Sequence, residues 1–253
     1  GGGVFSRQMK AIPLSDEMRA LLDLDQRTAT PFEVMRAILR MRVDLLWFGG
    51  IGTYIRATGE SDDQVGDRAN DAIRVTGAEL RARVIGEGAN LGVTQLGRIE
   101  AARHGVRLNT DAIDNSAGVN TSDVEVNIKI ALDTPERDGR LTPDARNALL
   151  AEMTEDVAGL VLRNNYLQTL SLSLAERRGA GDVGFVRRLM QGLEHEGRLD
   201  RSVEQLPDDV ALTARAEAGE GLTRPEHAVL LAYAKLQLYD QLLESAVPDD
   251  PYL

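Results

Sequence analysis

The chain has 253 residues, 43% hydrophobic and 27% charged, enough apolar material for one large domain or two modest ones. With 40 acidic against 29 basic residues, a net charge of −11 disfavours nucleic acid and anionic membrane surfaces as partners. The absence of cysteine excludes a disulfide framework and a thiolate metal site, and fits a reducing compartment. The opening GGGVFSRQMK lacks the apolar core of a signal peptide, and no apolar run is long enough for a membrane span. A cytoplasmic protein is therefore expected, with neither nucleic acid nor membrane as partner.

In chain order, Thr30-Pro31-Phe32-Glu33 has the pattern of a capping box, with Thr30 as N-cap, Pro31 at the first helical position and Glu33 reaching back. Three short apolar runs then read as strands: VDLLWFG at 43–49, ARVIGEG at 82–88 and VRLNTDA at 106–112. Their nearly continuous apolar or β-branched character is that of strands covered on both faces. Between the last two, Val93, Leu96, Ile99 and Ala102 recur every three residues, as on a helix, and Gly105 stands where a left-handed residue ends one. Strand, helix and strand with short turns form a βαβ unit, which implies a parallel sheet.

Beyond it, Thr134–Arg140 (TPERDGR) reads as a polar hinge. Thr142-Pro143 repeats the cap-then-proline start, residues 154–178 carry an amphipathic pattern through Val157, Leu160, Val161, Leu167, Leu170 and Leu174, and Thr223–Glu226 is a second capping box. No convincing strand follows Leu132. The expected fold is α/β: a partial Rossmann-like parallel sheet of about three strands in residues 1–133, then an all-α C-terminal region over 134–253.

Ligands of open parallel sheets bind beyond the strand C-termini. Three turns lie there, FGGIGT at 48–53, GEGANLG at 86–92 and DAIDNSAGVN at 111–120, all rich in Gly, Ala, Ser or Asn. Small residues let a flat ligand approach the backbone, and amide and hydroxyl side chains both donate and accept; short turns, however, need glycine in any case. GEGANLG approximates the dinucleotide fingerprint, with Asp111 placed further on as a ribose-binding acid would be. Its third glycine is displaced to Gly92, and Glu87 would set a carboxylate beside the phosphates. Ser122, Asp123 and Glu125 fall in the first turns of a helix beginning near Ser116 or Ala117. The acids suit the positive end of the helix dipole, and a serine there can also bind a ligand carboxylate. His104, His195 and His227 lack metal-ligand spacing and read as surface or helix-end residues, so no metal is expected; Glu194-His195-Glu196 reads as a solvated charged face. There is no G-x-S-x-G elbow and no phosphate-binding P-loop.

The run VIGEGANLGVTQLGRIEAARHGVRLNTDAIDNSAGVNTSDVEVNIKI, together with GDRANDAIRV at 66–75, GLTRPEHAVLLAYAK at 221–235 and the opening GGGVFSR, resembles the large NAD-specific bacterial glutamate dehydrogenases. The resemblance implies NAD as cofactor, L-glutamate and 2-oxoglutarate as substrate and product, and a homo-oligomer as the full-length enzyme. It also implies that GEGANLG is not the phosphate cradle but the E-G-A-N motif of the second half of the Rossmann domain. Glu87, Gly88, Ala89 and Asn90 match that motif, with Asn90 as ribose or nicotinamide contact. Asn115 matches the asparagine of the N-A-G-G-V motif near the carboxamide and substrate, although Ser116 and Ala117 depart from that pattern. Ser122 matches the serine that binds the substrate side-chain carboxylate, Phe48, Gly49 and Gly50 match the strand-end loop against the cofactor, and Asp111 belongs to a strand end leading into the substrate crevice.

The chemistry so implied needs a lysine of lowered pKa to polarise a carbonyl and an aspartate to move protons. The resemblance puts both in a substrate domain preceding the Rossmann domain. No segment here matches either motif; Lys129 and Lys235 lie in helical patterns elsewhere. No catalytic residue is therefore assigned, and the segment alone is expected to be inactive. Two other readings stand beside this one. A dehydrogenase for an apolar amino acid would leave the Ser122 hydroxyl unpaired. A non-catalytic assembly module would use the helical half as an interface.

Overall fold

The computed structural model describes residues 3–252, so the first two glycines of GGGVFSR lie outside the described residues. The chain opens with a short antiparallel pair, β1 (Ile12–Pro13) and β2 (Thr28–Ala29), enclosing α1 (Asp16–Leu22). Next comes α2 (Pro31–Leu39), which begins with the expected capping box: Thr30 accepts from the Glu33 N–H while Glu33 accepts from the Thr30 N–H at 2.7 Å. Ile12, Leu14, Leu22, Ala29, Val34 and Ala37 close a small core around these elements.

The central layer holds β3 (Leu45–Phe48), β4 (Ile55–Arg56), α3 (Asp62–Val65), β5 (Val75–Thr76), β6 (Val84–Glu87) and α4 (Gln95–Arg103). β3 pairs in parallel with β6 in the register Leu45↔Val84 to Phe48↔Glu87, and β4 pairs in parallel with β5. Thr94 caps α4 by accepting from the Gly97 N–H, and Gly105 follows it at φ +89°, as the sequence predicts. Phe48, Ile55, Val75, Ile85, Val93, Ala101 and Leu108 form the core beneath. The architecture is thus α/β, with small parallel sheets among many helices.

The third expected strand does not develop. Residues 106–112 contribute one parallel bridge, Val84↔Arg107, made by Ile85 N–H to Arg107 O at 2.9 Å and Arg107 N–H to Arg83 O at 3.0 Å. Pairing stops there because the chain turns into α5 (Asp111–Asp114), whose Asp111 and Asp114 carboxylates take the backbone N–H groups of Leu91 and Glu87.

α6 (Ser116–Arg137) starts at the expected residue and runs into the first part of the expected hinge at 134–140. Pro135 sits in its last turn and the helix ends two residues later, so the break comes at residues 138–142 and the boundary at 133/134 falls inside a helix. α7 (Pro143–Glu152) and α8 (Thr154–Arg178) follow, then α9 (Val183–His195), α10 (Asp209–Glu217) and α11 (Arg224–Glu244). On α8 only part of the expected apolar stripe is covered: Val157 and Val161 are buried, but Leu160, Leu167, Leu170 and Leu174 are exposed. Val183, Val186, Met190, Leu193, Leu212 and Leu230 make a separate core for α9–α11. His227, read as a surface or helix-end residue, does lie at a helix end, in the first turn of α11, but is buried there, and burial pushes its pKa down from 6.5 against the pull of neighbouring Glu226. Among the described residues no helix is long and apolar enough to cross a membrane, and no group of three or more His, Asp or Glu could hold a metal ion.

Candidate functional site

The three strand-end turns meet. The Ala89 N–H donates to the Phe48 carbonyl at 3.0 Å, joining the loop after β6 to the end of β3. The Glu87 N–H donates to Asp114 at 2.9 Å and the Leu91 N–H to Asp111 at 2.8 Å, joining the same loop to α5. At its tip the Asn115 amide donates to Asn90 Oδ1 at 2.7 Å. Each asparagine thereby fixes the orientation of the other while keeping unused donor and acceptor positions.

Under the loop lies a buried ion pair. Glu87 is 1% exposed and accepts from Arg98 Nε at 2.7 Å and Nη2 at 2.8 Å, and also from the Val93 N–H at 3.1 Å. Arg98 Nη2 lies 3.1 Å from Asp111 as well, so one guanidinium ties α4, β6 and α5 together. Burial pushes the Glu87 carboxyl above the usual carboxylate range, and Arg98 opposes the shift. Burial raises Asp114 likewise, opposed by the Asn109 amide and the Glu87 N–H. The Glu87 side chain thus faces inward and positions the loop; what the motif presents at its surface is Gly88, Ala89 and Asn90. The sequence carried no sign of this arrangement, since Arg98 lies beside the Val93–Ala102 stripe of α4 and not within it.

Trp47 explains two glycines. Its indole lies across the β3–β6 pair, where a Cβ on Gly86 would come 2.5 Å from the ring and one on Gly88 2.3 Å. Gly49 and Gly50 are different: Gly50 has no neighbour within 4 Å of an added Cβ, and Gly49 has only the Trp47 edge at 3.7 Å. The fold does not need glycine at these two positions, and the room they leave lets a flat group lie against the backbone. They border a hollow of about 280 Å³ with Phe48 and Tyr54, whose rings stack at 5.6 Å and 7°.

Asn90 and Asn115 border a second, larger cleft of about 700 Å³, completed by Ser116, Asn120 and Asp123 of α6, Asn164 and Gln168 of α8, and Lys235 of α11. Ser122 is not among its lining residues. It is exposed, and its hydroxyl donates to the Val119 carbonyl at 2.9 Å. The structure therefore brings Asn90 and Asn115 together, sets Phe48, Gly49 and Gly50 on a different hollow, and leaves Ser122 apart. The contributions of α8 and α11 had no counterpart in the sequence reading, where only the i, i+4 spacing of Asn164 and Gln168 on an otherwise amphipathic helix hinted at a polar patch.

Converging turns at the ends of parallel strands, opening on a cleft lined by amides, define an α/β protein with a candidate ligand site. Residues 1–175 match the family of the bacterial NAD-glutamate dehydrogenase catalytic domain, and residues 219–253 match the glutamate dehydrogenase C-terminal family. The chain belongs to the bacterial NAD-glutamate dehydrogenase family. It is 52% identical to the NAD-specific glutamate dehydrogenase of Pseudomonas aeruginosa over 253 residues, 50% identical to that of Halomonas elongata over 251, and 48% identical to that of Mycobacterium tuberculosis over 255. These matches cover 98–100% of this chain and 16% of each relative. The chain is thus similar to one segment of much longer enzymes.

Proposed function

We propose that this segment forms the nicotinamide- and substrate-facing wall of an NAD-dependent glutamate dehydrogenase. The reaction converts L-glutamate, NAD⁺ and water to 2-oxoglutarate, ammonia, NADH and a proton. The observation that carries this reading is the Asn90–Asn115 hydrogen bond at 2.7 Å on the rim of the cleft, with the open glycines Gly49 and Gly50 on the next strand end. Two oriented amides suit a planar ring bearing a carboxamide, and the unfilled space over Gly49 and Gly50 suits its flat face. NAD, when bound, supplies the hydride acceptor.

The work of this segment in that reaction is to bind and orient. Asn90 and Asn115 offer hydrogen bonds to the ring substituents, Ala89 and Gly88 keep the loop backbone low, and the buried Glu87–Arg98 pair fixes the loop. The lysine and aspartate that polarise the substrate and move protons are assigned to another part of the full-length protein. The finer reading of the fold belongs to the same proposal: a nucleotide-binding half in residues 1–133 followed by a helical region, in a cytoplasmic homo-oligomer. Exposed apolar residues on α8 and α11, among them Leu162, Tyr166, Leu236 and Tyr239, support assembly.

The test is Asn90→Ala and Asn115→Ala in the full-length protein. Losing an oriented amide should lower kcat/KM for NAD by about 10- to 100-fold. Changes below about 2-fold in both variants would overturn the assignment.

A further inference from the structure

The cleft beside Asn90 and Asn115 contains a cation that the cofactor reading does not use. Lys235 reaches it from the middle of α11, and its ammonium donates to Gln168 Oε1 at 2.8 Å. Gln168 in turn donates from Nε2 to the Ser116 hydroxyl at 3.3 Å, and across the same cleft Asn164 donates to Asn120 at 3.1 Å. Among the described residues Lys235 makes no ion pair, so two of its three N–H donors remain for a ligand.

The position of this ammonium is set by anchored elements. The start of α11 is locked to the strand-end region: Arg224 Nε donates to Asn109 at 2.5 Å and Nη2 to the Thr169 carbonyl at 3.1 Å, while Gln95 donates to the Pro225 carbonyl at 3.4 Å. Asn109 itself holds Asp114, whose other oxygen receives the Glu87 N–H. From Arg224 to Lys235 the helix advances about 16 Å, which carries the lysine from that junction to the cleft. Asp123 lines the same cleft, also without an ion pair among the described residues. The cleft therefore offers one anchor for each charge of a zwitterion. A polyphosphate would meet repulsion from Asp123, whereas an amino acid satisfies both.

We propose that Lys235, oriented by Gln168, binds a carboxylate of the amino-acid substrate, so that the C-terminal helix completes the substrate site in place of the Ser122 contact. This rests on the dehydrogenase reading for the identity of the ligand, and it gives α8 and α11 a role in specificity.

The experiment uses the full-length protein with Lys235→Met and Lys235→Arg. For Lys235→Met, KM for glutamate should rise about 10- to 100-fold, the range expected when a charge-assisted hydrogen bond is lost. The KM for NAD should stay within about 2-fold, and Lys235→Arg should recover part of the loss. Because the side chain is exposed, folding should be unaffected; should the methionine variant unfold, Lys235→Gln makes the same comparison. Calorimetric binding of glutarate, a dicarboxylate that cannot react, provides a readout independent of turnover. Weaker glutarate binding by Lys235→Met with unchanged NADH binding supports the proposal, even if wild-type protein fails to oxidise glutamate, a result that would sink only the dehydrogenase reading. Unchanged glutamate KM and glutarate affinity, or a fall in kcat alone, overturns the role of Lys235.

Discussion

Replacing Arg98 by methionine is the sharpest test of how the loop is held. The guanidinium is 6% and the Glu87 side chain 1% exposed, with two bonds of 2.7 and 2.8 Å between them. The substitution leaves the Glu87 carboxylate buried with only the Val93 N–H, and it frees Asp111 as well. Removing one partner of a buried pair costs about 3–5 kcal/mol. At about 2–4 °C per kcal/mol for a chain of this size, the melting temperature should fall by about 6–20 °C. Glu87→Gln keeps the volume and one acceptor and leaves Arg98 beside Asp111, so its cost should be about 1–3 kcal/mol. The double variant Glu87→Gln/Arg98→Met should be less destabilised than the two costs added, by about 1–3 kcal/mol. Urea denaturation followed by the emission of Trp47, the single tryptophan, measures all three. Losses below about 1 kcal/mol that add without coupling would refute the reasoning.

Other consequences follow from particular contacts. Gly88→Ala places a methyl 2.3 Å from the Trp47 ring and should displace the indole, shifting its emission and costing about 1–3 kcal/mol; an unchanged spectrum would contradict the packing. Gly77→Ala meets the Gly97 carbonyl at 2.7 Å, where backbone cannot swing aside, and should destabilise by at least as much in the same urea assay. His227 has its pKa lowered by burial, so the unfolded chain takes up the proton first as pH falls. The stability it contributes is complete above about pH 6.5 and is lost as pH drops from there towards the folded pKa. Melting curves of His227→Gln should show a shallower acid slope than wild type below that pH; equal slopes would exclude the linkage.

Local signals were legible in the sequence. The capping boxes at Thr30 and Thr223 and the ending at Gly105 each depend on residues a few positions apart, and each forms as read. The convergence of the three turns was legible too, since parallel strands put their C-terminal ends together. What failed depended on distant partners. The strand at 106–112 stops because Asp111 and Asp114 spend their carboxylates capping the neighbouring loop, a contact no periodicity reveals. Glu87 looked ligand-facing because its partner Arg98 is brought under it only by packing of α4. The polar run 134–140 read as a hinge, yet α6 continues through residue 137 before the chain breaks. The cleft lining from α8 and α11 was invisible for the same reason, since Gln168 and Lys235 are 67 positions apart.

The central claim is that the tips ending near Gly49, Asn90 and Asn115 form one wall for the nicotinamide ring. A cryo-electron microscopy map of the full-length protein with NADH and 2-oxoglutarate tests it directly. The account predicts density for the ring within about 3.5 Å of the Asn90 or Asn115 amide, with its face over Gly49 and Gly50. A well-ordered ring elsewhere, with these amides facing only solvent, would contradict it.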